Sequence, residues 1–368
     1  MKMKITDVKV QSIRIPVPQM WVVHFGQTMD VTLVTVSTDQ GIEGYSMGRA
    51  VGGAPGIILG QEVVSVAKNL VLGENPFDRE KIWQKMWTLT TRVRLSIFAL
   101  SCLDVALWDI AGKALSIPVY ELIGACRDKV PAYASSGVHS VVEEYVDEVL
   151  LCREKGYRAY KLHPFGVPEK DVEACRAVRK AVGAGMALML DPTGAYDHRQ
   201  ALGVGRRLEE LGFFWYEEPI GDFDIGGYAE LCRALDIPVL AAEVLPGSLY
   251  SLAEFIVRGA TDIARGDVYW KGGITGVLKM ARLAEAFGMK LELHHGASPI
   301  MDWANLHAMA AFKNGDYLEI LIPKEPLDYG LKEYVQIDEE GFVHLPRKPG
   351  LGAEIDWDFI NAHTVFKA

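Results

Sequence analysis

The sequence predicts an α/β protein, a (β/α) barrel preceded by a smaller α+β domain, and three observations predict it. From about residue 130 short apolar strands alternate with helical stretches at a pitch near 26 residues. Eight such strands end in turn at Ser135, Lys161, Asp191, Glu217, Glu243, Asp267, His294 and Glu319, the number that closes a barrel. The 368 residues also exceed one ordinary domain and suit a barrel of roughly 250 residues with a smaller companion.

The elements follow in order. Residues 5–15 and 31–37 carry the β-branched alternation of strands, and Thr38, Asp39, Gln40 and Gly41 read as the turn into the next one. Between the first two strands, residues 16–30 hold Trp21, His24 and Phe25. Such a segment is either a lid or a connection whose aromatics pack locally. Helical spacing then covers 61–72, 78–90 and 96–114 and, beyond residue 130, 142–155, 169–182, 201–211 and 275–287. The tail after Pro323, with LPRKPGLGAEIDWDF, leaves the pitch and is expected to pack back across the amino-terminal domain. The expected division is 1–128, 129–323 and 324–368.

Composition narrows the partners. Hydrophobic residues at 49% and charged residues at 23% allow a large core, and a formal charge of −10 argues against a nucleic acid partner, which would need basic patches. Any anionic substrate must be held by local cations. The cysteines Cys102, Cys126, Cys152, Cys175 and Cys232 form no CxxC pair and read as reduced thiols. The first residues alternate like a strand and lack the apolar core of a signal peptide, and no apolar run is long enough for a bilayer. A soluble, cytoplasmic protein without a membrane partner is expected.

The strand ends carry the chemistry. Asp191, Glu217 and Glu243 stand at equal intervals of 26 residues, each closing an apolar run. One acidic residue before a proline is often a turn residue or a helix cap. Three on consecutive units point to a shared mouth where hard oxygen ligands in an incomplete shell favour Mg²⁺, with water and substrate filling the rest. Asp267 and His294 end the next two strands, and a carboxylate bonded to one ring nitrogen would leave the other free for proton transfer. The adjacent His295 reads as the histidine that faces the core or caps a strand. Lys161 and His163, two residues apart, share a face of the second strand. They either offset the crowded carboxylates or form a structural salt bridge.

These motifs together resemble the mandelate racemase subgroup of the enolase superfamily: LSCLDVALWDIAGKALSIPVYELIG, KLH, DPTGAY, WYEEP, AAE, DVYWKGGITG, HHGASP, YLEIL and PGLGAEIDW, across almost the whole chain. The resemblance implies an α+β domain capping a modified TIM barrel, with one Mg²⁺ on Asp191, Glu217 and Glu243. It implies an acid/base dyad of His294 and Asp267, and a hydrogen bond donated by Glu319 to the substrate carboxylate. Racemases of this kind usually carry a second lysine where this chain has His163. The expected reaction is therefore dehydration of an acid sugar: removal of the proton α to a carboxylate and loss of the β-hydroxyl, giving a 2-keto-3-deoxy acid. Racemisation or epimerisation, with Lys161 or His163 opposite His294, is the alternative, and a catalytically silent barrel binding metal and acid is a third. Thr193 stands where some relatives place Asn, and Lys271 is either outside the site or on the substrate. Selectivity is assigned to the 16–30 lid and a 44–60 loop with a flexible GGAPG, where His24 and Arg49 would meet hydroxyls or a distal carboxylate. A homo-oligomer is also implied.

Overall fold

The alternation at the start of the chain becomes an antiparallel meander of β1 (Ile5–Pro16), β2 (Thr28–Thr38) and β3 (Glu43–Arg49). The computed structural model describes residues 2–49 and 55–368. The expected turn is present, with the Gly41 N–H donating to the Thr38 carbonyl at 3.1 Å. The 44–60 segment is not one loop: it is strand as far as Arg49 and helix from Ile57, and residues 50–54, with most of GGAPG, lie outside the described residues. Gly44 misled because its role is close approach rather than flexibility. A Cβ there would stand 2.1 Å from the Ala106 carbonyl oxygen on the helix beneath.

The helix over Ile57–Glu62 passes through a π turn, Val63–Ala67, into Lys68–Val71, and the helices Arg79–Arg92 and Ile97–Leu115 follow. Ile97–Leu115 is apolar on nearly every face because it is covered on two sides, by β2 and β3 and by the barrel helix Gly273–Ala286. Ser96 caps its start, Oγ accepting from the Phe98 N–H at 3.0 Å.

The barrel strands are β4 (Lys129–Ser135), β5 (Ala159–Leu162), β6 (Ala187–Leu190), β7 (Trp215–Glu217), β8 (Val239–Ala241), β9 (Ile263–Gly266), β10 (Lys290–Leu293) and β11 (Leu318–Leu321). All are parallel in sequential order, and pairing of β11 with β4 closes the ring. The tail goes two ways. β12 (Phe342–His344) runs antiparallel to the first residues of β4, and β13 (Thr364–Lys367) becomes the outer strand of the cap sheet beside β1.

Period-two alternation builds the barrel interior in layers. Tyr133, Ala159, Met189, Trp215, Leu240 and Ile263 form a buried apolar floor, with Tyr317 packed against it. Two residues further along, the same strands bring up Lys161, Asp191, Glu217, Arg265 and Glu319, all buried.

Side chains of the cap hold the loop after β9. Trp83 Nε1 donates to the Gly272 carbonyl at 2.7 Å and Ser101 Oγ to the Tyr269 carbonyl at 2.7 Å, while Asp104 accepts the Thr275 N–H at 2.9 Å. Gly273 makes this contact possible. Its φ is +79°, and a Cβ would lie 2.2 Å from an Asp104 carboxylate oxygen.

His307, buried in the helix Pro299–Met309, pins the barrel to the cap and the tail. Its Nδ1 accepts the Tyr120 N–H and its Nε2 faces the Leu351 carbonyl, both at 3.0 Å, so the neutral ring serves both bonds only as the Nε2–H tautomer. Burial pushes its pKa down to about 4. The unfolded chain therefore takes up this proton first, near pH 6.5, and the site's stability is complete above that pH and lost as pH falls towards 4. Urea unfolding should lose on the order of 3 kcal/mol over that window from this group. In His307→Gln that part of the slope should vanish, and an unchanged slope would refute the assignment.

Candidate active site

Above the apolar floor lies a layer of paired charge. Lys161 Nζ stands 3.2 Å from Asp191, 3.0 Å from Glu217 and 2.9 Å from Glu319. Arg265 reaches Glu217 at 2.8 Å, Glu243 at 3.2 Å and Glu319 at 2.7 Å, and its Nη2 donates to the Tyr133 hydroxyl at 2.9 Å. Trp215 Nε1 donates to the remaining Glu217 oxygen at 3.0 Å. Burial opposes the charge on Lys161, but Glu217 and Glu319 outweigh it and hold the ammonium well above the ordinary lysine value. Burial would likewise raise Glu319, yet Lys161 and Arg265 hold that carboxyl well below the usual range. Glu319 is therefore ionised and can only accept hydrogen bonds. The donation to substrate expected of it does not fit this arrangement, because both of its oxygens face cations.

At the mouth the dyad is assembled. His294 Nδ1 lies 2.8 Å from Asp267, whose other oxygen accepts the Trp270 N–H at 2.8 Å. With Nδ1–H donating to Asp267, the Nε2 lone pair faces the cavity, where a Glu243 oxygen stands 3.4 Å away. Burial, then His295, holds His294 well below its ordinary value, so it stands ready as a neutral base. His163 has partners on both ring nitrogens: Nδ1 at 2.6 Å from the Ser136 carbonyl and Nε2 at 3.1 Å from Asp191.

The cavity is about 350 Å³, large enough for a small molecule. Its wall includes His24, Arg49, His163, Asp191, Thr193, Glu243, His294 and Glu319, whereas Lys161 and Glu217 lie behind it. Thr193, at φ +50°, donates its N–H to Asp191 at 2.9 Å. His24 comes from the short lid helix Val22–Phe25. Burial and His163 push its pKa down to about 4, and its Nε2 is buried without a partner. The lid is anchored to the barrel, Trp21 Nε1 donating to the Ile322 carbonyl and the Val138 N–H to the Met20 carbonyl, both at 3.0 Å. Lys271 lies outside this wall: it is buried, and Nζ donates to the Leu245 carbonyl at 2.8 Å. His295, expected to face the core or cap a strand, also lines the cavity, while its N–H donates to Glu319 at 2.9 Å.

Sequence reasoning missed Arg265, Glu218 and Asp222. Arg265 was signalled by a charge inside an apolar strand, two residues before Asp267. Glu218, at φ +37°, turns into the cavity beside Asp222, and burial with the Asp222 and Asp191 carboxylates pushes its pKa up to about 8.

Among the described residues no three of His, Cys, Asp and Glu converge tightly enough to grip a metal as they stand. The donor chemistry nevertheless fits a hard divalent cation. In the charged layer Lys161 and Arg265 face Asp191, Glu217, Glu243 and Glu319, a formal excess of two negative charges when all four carboxylates are ionised. Burial and Glu218 push Glu243 well above the usual carboxylate range, a strain that a cation would relieve. Arg265→Met should lower stability by roughly 3–5 kcal/mol in urea unfolding, because it leaves buried carboxylates short of a counter-charge. An unchanged midpoint would show that the guanidinium does not hold the layer.

A barrel with a carboxylate-rich mouth, an imidazole–carboxylate dyad and an α+β cap defines a class of enzyme, and comparison with known proteins agrees. The amino-terminal domain of mandelate racemase and muconate lactonizing enzyme matches residues 3–124, and the enolase C-terminal domain-like family matches residues 144–359. The chain belongs to the enolase superfamily, in its mandelate racemase subgroup. It is 32% identical to an arabinonate dehydratase of Saccharolobus solfataricus over 89% of this chain and 88% of that protein. It is 30% identical to an N-succinyl-L-Arg/Lys racemase of Bacillus cereus over 99% of each. The crystal structure of a D-glucarate dehydratase from Agrobacterium tumefaciens complexed with magnesium superposes with a TM-score of 0.87 at 35% identity, covering 99% of each chain. Among the described residues no helix is long and apolar enough to cross a membrane.

Proposed function

We propose that this enzyme is a Mg²⁺-dependent acid-sugar dehydratase. The observation that carries the reading is the imbalance of bases around the cavity. His294 presents a neutral Nε2 with one loose contact, while Lys161 is a locked ammonium shared by three carboxylates and His163 is engaged on both nitrogens. One free base suits removal of an α-proton followed by elimination, whereas inversion needs a second base on the opposite face.

In this reading His294 Nε2 takes the α-proton and Asp267 stabilises the imidazolium that forms. The electron pair left on the α-carbon expels the β-hydroxyl, to which His294 returns the proton, so that water leaves. The enol then tautomerises to a 2-keto-3-deoxy acid. Mg²⁺ on Asp191, Glu217 and Glu243 would supply Lewis-acid stabilisation of the charge developing on the substrate carboxylate. Glu217 would share an oxygen with Lys161 and Arg265, whose own charges act from beneath. Glu319 orients both cations. The same reading makes the protein a cytoplasmic homo-oligomer, in which a neighbour would cover Val23, 72% exposed on the lid helix.

Epimerisation is the second reading, favoured by the likeness to a racemase across the whole chain; it requires Lys161 or His163 to be released from its partners. Purified enzyme with Mg²⁺ should convert members of a panel of aldonates and aldarates into 2-keto acids, and His294→Asn should lower kcat by about 10²–10⁴-fold. Exchange of the α-proton in deuterated water without keto acid would instead establish the epimerase, and silence in both assays a binding barrel. Mg²⁺ should also raise the melting temperature of the parent, as any ligand specific to the folded state does, and should fail to do so in Asp191→Asn. An equal shift in both would remove Asp191 from the ligand set.

A further inference from the structure

Arg49 is the cation that the proposed chemistry leaves unused. It ends β3, is only 7% exposed, and lines both the main cavity and a smaller one beside it. Its guanidinium lies over the Phe25 ring, 4.2 Å from the centroid. Its charge lowers the pKa of both His24 and His295, which places it between the lid and the barrel mouth. Among the described residues no carboxylate comes within ion-pair distance of it. The other buried lysine and arginine side chains among the described residues have acceptors: Lys161 and Arg265 have three carboxylates each and Lys271 has the Leu245 carbonyl, while the half-buried Lys324, at the smaller cavity, has Asp328.

A buried guanidinium without a counter-ion is costly, and burial draws down its pKa here. Hydroxyl groups would solvate it but leave the charge uncompensated, whereas a carboxylate matches its planar fork with two parallel hydrogen bonds. The carboxylate next to the reacting carbon belongs with the proposed metal ligands Asp191 and Glu243; the Glu243 and Asp267 charges act on Arg49 but make no ion pair with it, so its fork is left for a second acid group. From this we infer that the substrate is a dicarboxylic acid sugar, an aldarate, whose distal carboxylate is bound by Arg49. The inference rests on the dehydratase reading and narrows its substrate class.

The test compares aldarates with the aldonates of the same configuration, glucarate against gluconate and galactarate against galactonate, in parent, Arg49→Met and Arg49→Lys. The aldarate should be preferred in kcat/KM by about 100-fold or more in the parent, as for a site built around a charged group. That ratio should fall below about 10 in Arg49→Met, with Arg49→Lys between, because lysine keeps the charge and loses the fork. A parent that prefers aldonates, or a ratio unmoved in Arg49→Met, overturns this inference and leaves the dehydratase reading standing. Absence of keto acid from every acid overturns the dehydratase reading, and calorimetry then decides Arg49 alone. Glutarate should bind the parent at least about tenfold more tightly than butyrate, and Arg49→Met should remove the difference. Equal binding of the two acids overturns the assignment.

Discussion

The interaction on which this molecule depends is the charged layer inside the barrel, where two cations bind four carboxylates on an apolar floor. Each partner is buried, so none of these charges is tolerable alone, and each fixes the position of the next. Lys161 ties β5 to β6, β7 and β11, and Arg265 ties β9 to β7, β8 and β11. The barrel is thus held from within by electrostatics as well as by its strand pairing. The surplus of negative charge in the layer is also what makes the mouth receptive to a divalent cation.

The second constraint is the cap. Ile97–Leu115 spends its apolar surface on two neighbours at once, so cap and barrel share one core instead of touching across a wet seam. Trp83, Ser101 and Asp104 reach from it to the loop that follows β9, which begins at Asp267. The orientation of the dyad is therefore set partly by residues more than a hundred and fifty positions earlier. The lid brings His24, and β3 brings Arg49, over a mouth otherwise rich in carboxylates. Chemistry comes from the barrel and the shape of the substrate space from the cap.

Much of this was legible in the chain. Eight apolar strands at a regular pitch gave the barrel, because a βα unit has a narrow range of lengths. The even spacing of Asp191, Glu217 and Glu243, followed by Asp267 and His294, located the mouth, since side chains at strand ends of successive units share one face. Arg265 stayed hidden because an arginine inside a strand has no meaning until its acceptors, contributed by three other strands, are known. Glu218 was hidden by its neighbour: nothing local distinguishes two consecutive glutamates until a left-handed backbone turns one of them into the cavity. Gly44 was read as part of a loop because a glycine required by close packing and one required by flexibility look alike in sequence.

By itself the sequence determined the periodicities, and with them the closed barrel, the face carrying the chemistry and the candidate ligands and dyad. Those follow from local geometry, a side-chain repeat of two in strands and a fixed length per βα unit. Protonation and availability were decided only by the tertiary structure. Lys161 is a locked ammonium, Glu319 an ionised acceptor, His294 a free base and Arg49 a cation with no carboxylate partner among the described residues, because each state depends on burial and on charges that meet only when distant segments are packed together.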